Sequence, residues 1–188
     1  MPHSFGSADA LLLVDVQTDF CPGGSLPIPE GDAVVPVLNQ WIDAALASDV
    51  PVYASRDWHP PQHVSFAPRG GPWPVHCVRD TQGAAFHPDL ALPDRAIVIS
   101  KAEADDRDAY SAFDGTGLAQ RLRDAKIHRL WVGGLAEDVC VKATVLDALR
   151  EGFEVRLIEG GMRPVTEIGG REAREQMLQA GAQPGSLG

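Results

Sequence analysis

Apolar residues in this chain come in short runs, and the runs alternate with stretches of helical spacing. The first run, Ala10–Val16 (ALLLVDV), meets no polar position until Asp15, as expected of a strand buried on both faces. "CPGGSLPIPEGD" follows and is turn chemistry throughout. Ala33–Ser48 places apolar residues every three or four positions and predicts a helix with Asp32 as N-cap. Val50–Asp57 (VPVYASRD), Ala96–Lys101 (AIVISK), Arg129–Leu135 (RLWVGGL) and Phe153–Gly161 (FEVRLIEGG) predict four more strands. Helices are predicted between and after them: over 115–126, over Asp138–Gly152 with Gly152 as C-cap, and over 167–181. Strands alternating with helices predict an α/β fold, a three-layer α/β/α arrangement around a mostly parallel sheet of five to six strands. The tail "AQPGSLG" is a poor strand, so a sixth is expected to be weak or absent.

Residues 1–188 read as a single domain, with no internal repeat and no linker. Between Trp58 and Pro93 the chain is irregular and rich in Pro, Gly and His. A loop of this length is usually functional or disordered, and Trp58, Phe66, Trp73 and Phe86 argue against disorder.

A formal charge of -10 makes nucleic acid and anionic membrane surfaces poor partners, and favours a neutral or cationic small molecule. Three cysteines, Cys21, Cys77 and Cys140, form no pairing pattern and read as reduced thiols. No run reaches the ~18 apolar residues of a membrane span, and the first residues lack the features of a signal peptide, so a cytoplasmic location is expected.

Ligands of parallel sheets bind beyond the carboxyl ends of the strands. There the predicted strands deliver Asp15, Asp57, Lys101 and, just after the fourth, Cys140. A cysteine at a helix start is expected to have its thiolate favoured. A lysine at the end of an apolar strand needs a carboxylate partner, for which Asp15 is the candidate. An Asp–Lys–Cys cluster makes chemical sense: lysine stabilises the thiolate, while the aspartate takes the thiol proton and hands it to a leaving group. The small, flexible "GGLAEDVC" suits a tight turn whose N–H groups hold an oxyanion.

Asp57 and His59 are two apart in an extended segment and can reach one ion, with His76 across the loop as a third ligand. That donor set suits zinc, ferrous iron or manganese. His63 is open between ligand and supporting hydrogen-bonder. Phe20 and Trp73 stand near Asp15 and His76 in sequence, and are either core packing or the two sides of a slot for a flat ring.

Five stretches in order, "LLLVDVQTDFCPGGSL", "ASRDWHPPQHVSF", "GGPWPVHCV", "VISKAE" and "GGLAEDVCVKATVLDAL", closely resemble the nicotinamidases (pyrazinamidases) of the isochorismatase-like cysteine hydrolases. The resemblance runs from about Ala10 to about Gly181. It implies a parallel sheet of about six strands, and hydrolysis of nicotinamide, and of pyrazinamide, to the acid and ammonia in NAD salvage. It maps the nucleophile onto Cys140, the acid/base onto Asp15 and the lysine onto Lys101. It maps the oxyanion donors onto the N–H groups of Ala136 and Cys140, and implies a cis peptide at Leu135–Ala136. The divalent metal, zinc first, maps onto Asp57, His59 and His76; His63 is a ligand in some members. Homo-oligomers occur in the family. Val139 departs from the larger polar or aromatic residue many members carry there. The alternatives are an amidase of the same superfamily acting on a carbamoyl or ureido compound, a metal-water hydrolase with a structural Cys140, and a non-catalytic binding module.

Overall fold

The computed structural model describes residues 4–187. Six strands form one parallel sheet: β1 (Asp9–Val14), β2 (Val52–Asp57), β3 (Ile97–Lys101), β4 (Arg129–Leu135), β5 (Glu154–Arg163) and β6 (Gln183–Gly185). Their spatial order is β3-β2-β1-β4-β5-β6. Among the described residues four α-helices accompany them: α1 (Val34–Ala47), α2 (Leu118–Asp124), α3 (Lys142–Arg150) and α4 (Glu167–Gln179).

Strand alternation divides the core into two. Leu11 and Leu13 of β1 pack on one face with Leu38, Trp41 and Ile42 of α1. Ala10, Leu12 and Val14 pack on the other with residues of α2, α3 and α4, among them Leu122, Val145 and Met177. All six β1 residues are buried, because helices cover both faces.

The chain runs outward from β1 through β2 to β3, then returns to place β4 on the other side of β1. That reversal opens a crevice at the carboxyl ends of β1 and β4. Backbones crowd there: a Cβ on Gly134 would lie 2.1 Å from the Val14 carbonyl oxygen, and Gly134 has φ +134°. Glycine alone meets both demands.

Some predicted details change. Asp32 does not cap α1. A 3₁₀ turn at Gly31–Ala33 absorbs it, and the N-cap is Ala33, which makes no side-chain capping bond. The predicted helix over Asp138–Gly152 is two elements, a π-helical turn at Glu137–Val141 and then α3. Ala136 O accepts from both Val139 N (3.1 Å) and Val141 N (3.0 Å), and the second bond widens the turn. Helix α3 is capped by Glu151, with Gly152 next in a left-handed conformation (φ +92°). The sixth strand does form, over three residues parallel to β5. Its Pro184 is tolerated because β6 is an edge.

Candidate active site

Four segments bring polar groups to the carboxyl edge of the sheet. Asp15 follows β1, Asp57 closes β2, Lys101 closes β3, and Cys140 lies in the π-helical turn after β4. Asp15 (φ 50°) and Ala102 (φ 52°) both have left-handed backbones. Non-glycine residues adopt that region rarely, and concentrate in it at functional turns. The Leu135–Ala136 peptide is cis, as the resemblance implied.

Lys101 is the hub. Its buried Nζ lies 2.8 Å from Asp15 Oδ2, 2.5 Å from Asp57 Oδ1 and 3.7 Å from Cys140 Sγ. The sequence suggested Asp15 as its partner; Asp57 is a second one. Burial works against the charge on Lys101, but Asp15 and Asp57 outweigh it and hold its pKa well above the ordinary value. Asp57 is kept ionised: burial pushes its pKa up, yet Lys101 and His59 pull it well below the usual carboxylate range. Asp15 moves the other way. Burial raises its pKa, and Lys101 and the Ser55 hydroxyl offset only part of that.

Cys140 reverses an expectation. Burial pushes its thiol pKa well above the ordinary value; Lys101 opposes the shift, while Asp15 and Asp57 add to it. The sulfur sits inside the rim, in a π-helical turn, so the favourable field of a helix start is outweighed. Its proton has an acceptor nearby. Asp15 Oδ2 is buried 2.8 Å from Lys101 Nζ and takes no hydrogen bond of ordinary geometry from the described residues. An oxygen of Asp15 and the Cys140 sulfur are within 4.8 Å of each other.

A second group shares Asp57. Asp57 Oδ2 lies 3.4 Å from His59 Nε2 and 3.8 Å from His76 Nε2. Each ring is fixed through Nδ1 by a backbone carbonyl, His59 by Ala102 (3.0 Å) and His76 by Pro74 (2.7 Å). A ring that donates from Nδ1 turns the lone pair of Nε2 outward. One carboxylate oxygen and two imidazole nitrogens thus converge within 4.8 Å, a donor set that fits a divalent metal with waters completing its shell. His63 stacks on His59 with ring centroids 4.1 Å apart. Both its nitrogens are engaged, Nδ1 with Ser65 Oγ (2.7 Å) and Nε2 with the Arg107 carbonyl (3.0 Å), and in this arrangement it supports His59.

Asp57, His59, His76 and Cys140 line one pocket, open to solvent at its mouth. Phe20 and Trp73 both line it, with Ala136, Val139 and Cys140. Small-molecule sites commonly have this mix of apolar wall and few polar groups.

Several contributors were not singled out in the sequence. Ser55 Oγ donates to Asp15 Oδ1 (2.7 Å). Gln17 clamps the Asp57 backbone, donating to its carbonyl (2.8 Å) and accepting from its N–H (2.9 Å). Asp19 accepts from Cys77 N (2.8 Å) and Ser25 N (3.1 Å), tying the His76 loop to the pocket wall. Tyr110 accepts from Trp73 Nε1 (3.2 Å) at the mouth. Ser55 was within reach of a parity argument, since residues two apart on a strand share a face and Asp57 was already a candidate.

A family model described as the isochorismatase domain matches residues 9–187. The nicotinamidase of Escherichia coli (strain K12) is 45% identical over 177 residues, spanning 83% of this chain and 83% of that protein. The crystal structure of the pyrazinamidase of Pyrococcus horikoshii in complex with zinc is 44% identical. It superposes with a TM-score of 0.93 over 96% of this chain and 99% of that one. PnC1 from L. infantum in complex with nicotinate is 35% identical, with a TM-score of 0.89 over 98% of this chain and 96% of that one.

Proposed function

The chain belongs to the isochorismatase family, and from that premise we propose that it is a nicotinamidase, hydrolysing nicotinamide to nicotinate and ammonia. The observation that carries the reading is the Lys101 ammonium between Asp15, Asp57 and Cys140, at a pocket that also presents Asp57, His59 and His76.

In this reading nicotinamide enters with its ring between Phe20 and Trp73. The Cys140 thiol gives its proton to Asp15 as sulfur attacks the carboxamide carbon, and Lys101 stabilises the negative sulfur. The N–H groups of Ala136 and Cys140 receive the developing oxyanion. Asp15 passes the proton to the departing nitrogen, and ammonia leaves an acyl thioester. Asp15 then deprotonates a water that cleaves the thioester and restores the thiol. Two carboxylates with opposite pKa shifts suit this division: Asp15 is able to gain and lose a proton, while Asp57 stays charged.

Asp57, His59 and His76 would hold one divalent ion, with zinc first and iron or manganese as alternatives. When bound, it supplies a Lewis-acid position that orients the ring through the pyridine nitrogen. Pyrazinamide offers the same ring nitrogen and is expected to be a substrate. Among the described residues no helix is long and apolar enough to cross a membrane. Cys21, Cys77 and Cys140 are free, as suits a cytoplasmic enzyme, and nicotinamide as substrate is what would place it in NAD salvage.

The test is ammonia and nicotinate release from nicotinamide by purified protein. Turnover of N-carbamoyl or ureido compounds with none of nicotinamide would move the chain to the other amidases of the superfamily. Full activity in Cys140→Ala would favour a metal-water hydrolase.

A further inference from the structure

The turn that carries Cys140 is held from behind by a part of the molecule that takes no part in the chemistry. Its first residue, Glu137, is 4% exposed, and its Oε1 accepts from Arg174 Nε (2.8 Å), with Arg174 Nη2 in an ion pair at 2.8 Å. The next residue, Asp138, accepts from Val165 N (2.8 Å) just before α4. Ala136, Val139 and Cys140 line the pocket, whereas Glu137 and Asp138 reach toward α4 and its lead-in. The turn therefore has two sides, one chemical and one anchored.

A buried carboxylate that loses its cation is strongly destabilising. Without Arg174, the least costly response is for the turn to rotate Glu137 toward water. Room exists for that, since an open cavity of about 630 Å³ lies beside the bridge, lined by Glu137, Gly170, Arg171 and Arg174 among others. Because Ala136 O accepts from both Val139 and Val141, the turn moves as a unit and carries Cys140 with it. The sulfur has a narrow tolerance: its contact with Lys101 is 3.7 Å.

We propose that Arg174, through Glu137, is a positioning residue that sets the Cys140 sulfur against Lys101 and Asp15. This rests on Cys140 being the nucleophile. In Arg174→Ala, kcat for nicotinamide falls about tenfold with KM within about twofold, as for a displaced reacting group. Alkylation of Cys140 by iodoacetamide, followed by mass spectrometry of its peptide across pH, slows or shifts in parallel. Arg174→Lys recovers most of both rates, since one donor to Oε1 is regained. Glu137→Gln weakens the bridge without leaving a buried charge and gives a smaller loss, about threefold, which keeps the test alive if Arg174→Ala fails to fold. A lower melting temperature with kcat and the Cys140 alkylation profile unchanged would overturn the proposal. Wild-type protein inactive on nicotinamide would instead sink the substrate reading, and the alkylation arm would still report on the turn.

Discussion

The two halves of the site are built differently. The proposed catalytic half, Asp15, Lys101 and Cys140, is assembled from three distant segments, and buried charge holds it together. The proposed metal half, Asp57, His59 and His76, comes from one strand end and the loop after it, and backbone carbonyls fix its rings. Asp57 belongs to both, with one oxygen on Lys101 and the other facing the imidazoles. The contrast separates two design problems. Nucleophilic chemistry needs a thiol, a base and a cation at fixed distances in low dielectric, which only the whole fold provides. Holding a ring needs donor atoms aimed at a point, which a proline-rich loop provides locally.

The sharpest break between the halves is Cys140→Ala. Activity on nicotinamide is expected to fall by at least about 10⁴-fold, as for removal of a covalent nucleophile. Divalent-metal content and the melting temperature should stay near wild type, since Cys140 touches no donor of the metal half through a bond on which the fold depends. Metal analysis and a thermal melt alongside the ammonia assay check this. Loss of the metal together with activity would mean that the halves are not separable at the sulfur.

Lys101→Met attacks the point where they join. It leaves Asp15 and Asp57 as two buried carboxylates without their cation, and breaking such a pair costs about 3–5 kcal/mol. Activity and stability should fall together, read by urea unfolding and turnover. The sign with pH is fixed by Asp57. Its folded pKa is depressed, so it contributes stability above its ordinary value of 3.8 that is lost as pH falls through the folded value. The variant should therefore lose most near neutrality and little in strong acid.

His76→Ala, or removal of metal by a chelator, tests the other half. The loss in metal affinity or turnover should exceed about 10- to 100-fold, the scale for removing only a group that supports a ligand. The Cys140 alkylation rate should be nearly unchanged. Apo protein retaining full nicotinamide turnover would remove the ion from any role in holding the ring.

The same contrast explains what could be read from the sequence. The metal half was legible because its donors are neighbours: "DWH" puts Asp57 and His59 on one side of an extended segment, and His76 lies in the same loop. The strand ends were legible because buried parallel strands are continuous apolar runs, and their last residues must meet at one edge. The Lys101–Asp57 contact was not legible, because it depends on β2 pairing with β3 in a register that sets Asp57 opposite Lys101. The direction of the Cys140 pKa was misread for a related reason: a helix start is visible in sequence, whereas the depth of burial that outweighs it is not. Asp32 was misplaced because a 3₁₀ turn can take over the first turn of a helix without changing its apolar spacing. Gln17 and Asp19 act through backbone groups, and no spacing rule marks such partners, whereas Ser55 shares a strand face with Asp57 and was open to a parity argument.

Ser55→Ala is the gentlest way to pull on the catalytic half alone. Burial is the main reason the Asp15 pKa lies above the ordinary 3.8, and the Ser55 hydroxyl, 2.7 Å from Oδ1, is one of the forces holding it down. A donor to a carboxylate favours its charged form, so removing it raises the pKa further. Attack requires Asp15 as the base, so the acid limb of the kcat/KM profile should begin above 3.8 in the wild type and move to higher pH in the variant. At the optimum the loss should be about three- to tenfold, the net scale of one ordinary hydrogen bond. Stability should follow the same sign. A folded pKa above the unfolded one makes a contribution that is full below 3.8 and is lost as pH rises through the folded value. Raising that pKa again makes the variant's loss of melting temperature larger near neutrality than in acid. A profile shifted equally by His76→Ala, or not shifted by Ser55→Ala, would mean that the titrating base is a group other than Asp15.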